Sequence, residues 1–101
     1  MYKVVYLPVA RQQLTNAALN IASEVNAPNA AGSLLDEADA QAARLCEFPY
    51  RYPVYPLPFA MKHELRSFTL KNYRVFYVVR EDKKTVEIWR LLHRLQEPDP
   101  S

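Results

Sequence analysis

Apolar positions along the chain switch between two periods. Tyr2 to Leu7 (Y-K-V-V-Y-L) is β-branched and aromatic, and predicts a buried strand. Pro8 ends it and suits the first turn of a helix. Ala10, Leu14, Ala17, Ala18, Ile21, Ala22 and Val25 then recur near the helical period, giving an amphipathic helix of about four turns. Asn26-Ala27-Pro28-Asn29 interrupts it, with Asn29 the expected N-cap of a second helix. That helix gathers Ala31, Leu34, Leu35, Ala38, Ala42, Leu45 and Cys46 on one face, where Cys46 reads as a small buried hydrophobe. Asp36, Asp39 and Gln41 mark its other face, and Gly32, the only glycine, falls in its first turn. Pro49 closes it, because the residue before a proline avoids helical dihedrals.

Phe48 to Phe59 (F-P-Y-R-Y-P-V-Y-P-L-P-F) holds four prolines and no glycine, and is expected to be a stiff, partly polyproline-like loop. Three further strands are predicted at His63 to Leu70, Tyr73 to Arg80 and Thr85 to Leu92. Short polar links join them, and Asn72 is the residue expected to take a positive φ in the first. Strict alternation puts Arg74, Phe76, Val78 and Arg80 on one side of their strand. In the last strand it sets Glu87, Trp89, Leu91 and His93 against Val86, Ile88, Arg90 and Leu92. The order is strand, two-helix hairpin, loop and a three-stranded antiparallel meander, an α+β fold with both helices on one face. The opposite face is expected to be either partly solvated or a binding surface.

Composition narrows the class. At 101 residues the chain is one domain, expected over residues 1–96 with a frayed tail at 97–101. One cysteine and two histidines leave neither a disulfide framework nor a structural zinc site, and no cofactor is expected. No apolar run is long enough for a membrane span or a signal peptide, which predicts a cytoplasmic protein without a membrane partner. Charge is lopsided: net −2 over residues 1–50 and net +4 over residues 51–101. Eight of the thirteen basic residues are arginines, suited to bidentate contacts with phosphate or carboxylate. Such a second half calls for an anionic partner or is a solvated sheet surface.

Three segments in register carry a resemblance. They are Arg44-Leu45 followed by Pro49 at the end of the second helix, E-L-R-S-F (Glu64 to Phe68) with N-Y-R-V-F-Y-V-V (Asn72 to Val79), and V-E-I-W-R-L-L-H-R (Val86 to Arg94). Together they resemble the RelE/ParE toxin superfamily of bacterial type II toxin–antitoxin systems, from about Tyr2 to Gln96. The resemblance implies a compact α+β fold working through one face of its sheet, and a cognate antitoxin that wraps it. It also implies a hetero-oligomer with that antitoxin on operator DNA. RelE-like members are ribosome-dependent mRNA endoribonucleases; ParE-like members poison DNA gyrase and cut nothing.

Metal-free RNA cleavage by a 2′-hydroxyl needs a base, a cation at the phosphate and an acid for the leaving oxygen. Arg74 matches the family's strand arginine that holds the phosphate. His93 stands where some nuclease members place a general acid, a role that histidine's ordinary pKa of about 6.5 suits. Arg66 completes the expected catalytic set, and Lys62, Arg90 and Arg94 the substrate-binding one. On this pattern the expected activity is that of an mRNA interferase, with ribosome and mRNA as partners; the alternatives are gyrase inhibition or an inactive antitoxin-binding relic. Glu64 is not in clear register as a base, the lysine cluster of RelE is reduced to Lys62, and Arg94 follows His93 as in ParE-like chains. Phe68, Phe76 and Trp89 are candidates for stacking on bases or for the core. Tyr50, Tyr52 and Tyr55 either form an interaction platform or pin the loop to the domain.

Overall fold

The computed structural model describes residues 1–24 and 28–93. Strand β1 (Lys3–Tyr6) leads into helix α1 (Pro8–Glu24), and helix α2 (Pro28–Glu47) follows. Strands β2 (Arg66–Leu70), β3 (Tyr73–Arg80) and β4 (Thr85–His93) come next, with a 3-10 turn at Glu81–Lys83. Pro8 opens α1, where its fixed φ and missing N–H cost nothing. Pro28 does the same for α2, so Asn29 lies inside that helix and is not its N-cap. The second predicted strand starts late, at Arg66 and not His63. Arg94 and the tail at 97–101 lie outside the described residues.

The four strands form one mixed sheet in the order β1-β4-β3-β2. β1 runs parallel to β4, with Val4 beside Val86 and Tyr6 beside Ile88, and the other contacts are antiparallel. The α1–α2 hairpin is the crossover that parallel pairing requires. Lys71, not Asn72, takes the positive φ in the β2–β3 link, at 55°, and Lys84 does so before β4, at 48°. No helix among the described residues is long and apolar enough to cross a membrane.

Two apolar layers follow. On the helix side, Ala10 and Ala17 of α1 and Leu34, Ala38 and Leu45 of α2 meet Phe68, Leu70, Val75, Tyr77, Val86, Ile88 and Leu91. Each fully buried large side chain here contributes roughly 1.5–3 kcal/mol. Alanines on α1 let the helix approach the sheet closely, and Leu14, Ala18 and Ile21 fill the margin. Leu35, expected inside, is 41% exposed.

The opposite face is not bare. Leu65, Phe76 and Val78 are buried there beneath Tyr55, Leu57 and Met61, with Trp89 and Leu92 beside them. The proline-rich segment crosses the β2 edge to reach it. Tyr52 stacks on Phe68 of the helix side at 5.0 Å, Val54 bridges Arg66, and the Tyr55 amide donates to the Leu65 carbonyl at 2.7 Å. From Tyr55 to Met61 the odd positions turn inward while Pro56, Pro58 and Ala60 face out. The expected loop is therefore an extended strap with strand-like alternation. Prolines sit on the side where no donor is needed.

Candidate anion-binding face of the sheet

β3 and β4 run in simple antiparallel register from Arg80↔Thr85 to Tyr77↔Ile88, and then one residue slips: Phe76 pairs with Arg90. Trp89 is the extra residue, a β-bulge. Beyond it the faces of β4 invert relative to strict alternation. Arg90 and Leu92 stand on the strap side with Phe76, while Leu91 joins the helix-side core. His93 also lies on the helix side, edge-on to Tyr73 with ring centroids 5.8 Å apart. The alternation expected from the sequence is corrected at these four positions, and the bulge is the reason.

Arg74 stands on the strap face. Its Nη1 donates to Ser67 Oγ at 3.0 Å, and its guanidinium lies 5.8 Å from the centre of the Tyr55 ring. Among the described residues no carboxylate comes within 4.0 Å of it. Its strand neighbour Arg80 differs, held by Asp82 at 3.4 Å and Glu87 at 3.6 Å. Glu87 also accepts from the Trp89 indole N–H at 3.1 Å. Arg90, diagonal to Arg74 across the strand pair, donates from Nη1 to the Trp89 carbonyl at 2.7 Å. The face thus carries a half-buried guanidinium whose charge no described acid neutralises, beside a hydroxyl and an aromatic ring. That is an oxyanion-binding arrangement.

Arg66 is elsewhere. It pairs with Tyr77, on the helix side, donating to the Tyr52 carbonyl at 2.7 Å with its guanidinium 5.1 Å from the Tyr50 ring. Its acid partner is Glu64, at 3.6 Å, which therefore does not serve Arg74. Arg74, His93 and Arg66 do not converge: the first is on one face of the sheet and the other two are on the opposite one. Lys62 is exposed at the end of the strap. Phe68 and Phe76 are both core residues, one on each side, so neither ring offers a free stacking surface. Tyr52 and Tyr55 pin the chain as it crosses the edge. Cys46 is half-buried, and its thiol donates to the Tyr2 carbonyl at 2.8 Å.

A second polar cluster had no signal in the sequence. Glu81 Oε2 accepts from the hydroxyls of both Tyr2 and Tyr50, and Oε1 from the Lys84 ammonium at 2.9 Å. These donors hold the Glu81 carboxyl down to about 2. The same carboxylate pushes the Tyr50 hydroxyl up to about 12 and raises Tyr2 and Lys84.

A family model described as the ParE toxin of the type II toxin–antitoxin system parDE matches residues 4–98. The chain belongs to that family. The ParE toxin fold recurs in a solved chromosomal ParDE toxin–antitoxin system from P. aeruginosa, with a TM-score of 0.71 and 16% identity over 92% of this chain and 96% of that one. It is also similar to a chain of the archaeal RelE–RelB complex from Pyrococcus horikoshii OT3, with a TM-score of 0.53 and 19% identity over 95% and 98% of the two chains. At such identities the likeness is one of fold. No curated protein sequence matches.

Proposed function

We propose that this ParE-family toxin acts by binding and inhibiting a protein target, DNA gyrase, and does not cut RNA. One observation carries the reading: the cation and the acid that RNA cleavage would require, Arg74 and His93, stand on opposite faces of the sheet. Phosphoryl chemistry needs both groups within hydrogen-bond reach of one phosphate, about 3 Å from the reacting oxygens. A sheet with apolar layers on both sides separates them. The strap adds a second obstacle, because it occupies the aromatic face on which RNA bases would stack.

In this reading Arg74 is a docking residue. Its uncompensated charge, backed by Ser67 and Tyr55, receives an acidic group of the partner. The same surface is available to a cognate antitoxin, whose occupation of it would block the target. The protein then needs neither a base nor an acid, consistent with the absence of a glutamate in register and with ParE-like Arg94 after His93.

Two assays on the purified toxin test this together. Supercoiling by gyrase should fall with added toxin and recover with antitoxin, while mRNA on translating ribosomes stays intact. Ribosome-dependent cleavage that disappears in Arg74→Ala, with supercoiling untouched, would overturn the proposal in favour of an mRNA interferase.

A further inference from the structure

The segment leaving α2 and the start of β1 enclose a cleft of about 710 Å³, lined by Tyr2, Glu47, Phe48, Pro49, Tyr50 and Arg51. Its walls are aromatic and open: Phe48 is 63% and Tyr50 48% exposed. Its floor is held firmly. The buried Tyr77 hydroxyl donates to the Pro49 carbonyl at 2.8 Å, the Tyr2 amide donates to the Cys46 carbonyl at 2.9 Å, and the Cys46 thiol closes back on the Tyr2 carbonyl. A rigid, preformed pocket spends little on ordering when it binds.

On one rim of this cleft three donors from three separate elements aim at a single carboxylate. They are the Tyr2 hydroxyl from just before β1, the Tyr50 hydroxyl from the segment after α2, and the Lys84 ammonium from the β3–β4 connection. Lys84 also lies 5.2 Å from the centre of the Tyr2 ring. Two phenols and an ammonium make a complete recognition set for a carboxylate. The group that fills it is the chain's own Glu81, on an exposed turn.

We propose that this cleft docks an acidic, aromatic-bearing peptide segment of a partner protein, whose carboxylate replaces that of Glu81 on Tyr2, Tyr50 and Lys84. Glu81 is then an internal stand-in that competes with the partner. Charge favours such an occupant. Arg51 lines the cleft, and displacing Glu81 would leave the Lys84 ammonium to the incoming carboxylate, whereas Arg66, over the Tyr50 ring, keeps Glu64 as its own partner. The exposed rings of Phe48 and Tyr50 supply the apolar half of the contact. The site lies away from Arg74, and the proposal does not depend on what Arg74 binds.

The probe is a capped pentapeptide of alternating glutamate and phenylalanine, titrated into the full-length toxin while backbone amide resonances are followed by NMR. Shifts should concentrate at Tyr2, Phe48, Tyr50 and Lys84. Removing the internal competitor in Glu81→Gln should tighten binding roughly three- to tenfold, because the open site is no longer partly occupied. Asp82→Asn makes the same change of charge on the same turn but lies outside the donor set, and should alter affinity by less than about twofold. Tyr50→Phe and a glutamine-for-glutamate peptide should both weaken binding. The proposal is overturned by the absence of shifts at the cleft in wild type and Glu81→Gln alike. Equal tightening by Glu81→Gln and Asp82→Asn would reduce the effect to bulk charge and overturn it too, as would a glutamine peptide that binds as well as the glutamate one.

Discussion

Arg74 and His93 face opposite sides of the sheet because β4 carries one residue more than β3 between them. With strict alternation the two would share a side. Trp89 takes up the extra position, Phe76 meets Arg90, and the imidazole ends beside Tyr73 on the helix side of the sheet.

Arg74→Ala should abolish growth arrest while leaving the fold intact. The guanidinium is half-buried with one neutral hydrogen-bond partner, so its loss should cost no more than about 1 kcal/mol of stability. Growth on induction and thermal unfolding of the same variant check both halves. Arg74→Lys should recover only part of the activity, since an ammonium lacks the planar fork.

His93→Ala separates the two modes of action. As a helix-side residue in edge contact with Tyr73, it should be dispensable for toxicity. A folded His93→Ala protein that no longer arrests growth would count against target binding and for acid–base chemistry. The measurement is growth arrest alongside a circular dichroism melt.

Tyr77→Phe should destabilise the protein by roughly 1–2 kcal/mol in urea unfolding, with an unchanged m-value. The buried hydroxyl donates to the Pro49 carbonyl, and its removal strands that acceptor beside a ring that remains well packed. Burial is also the main cause that pushes the Tyr77 hydroxyl up to about 12, which places its ionisation far above neutral pH.

Glu81 makes stability depend on pH in the acid range. Its folded-state pKa, about 2, lies below the ordinary carboxylate value of 4.5, so the folded state binds fewer protons than the unfolded one. The contribution is fully present above pH 4.5 and fades as pH falls towards 2. Wild type should therefore exceed Glu81→Gln in urea midpoint at pH 6, and the gap should close by pH 2. Tyr50 gives the mirror case. Its pKa is raised from 10.0 to about 12, so that contribution holds below pH 10 and is lost as pH rises through 12.

What the sequence determined by itself was local. The helical spacing from Ala10 to Ile21 and from Ala31 to Leu45, the prolines at 8 and 49, and the β-branched runs of the strands define element order and the helix-covered face. Each of these signals is written within a few residues. The strap was not read from the sequence: its prolines pointed to a loop and masked the alternation of Tyr55, Leu57, Phe59 and Met61 with smaller outward residues. Tertiary structure decided the rest. Whether Arg90 and His93 face Arg74 depends on the phase of the pleat, and one inserted residue reverses that phase without altering composition or periodicity on either side. Partnering across the fold leaves still less trace: Tyr2 and Glu81 meet 79 residues apart, and β1 finds its place against β4 only once both helices have crossed over.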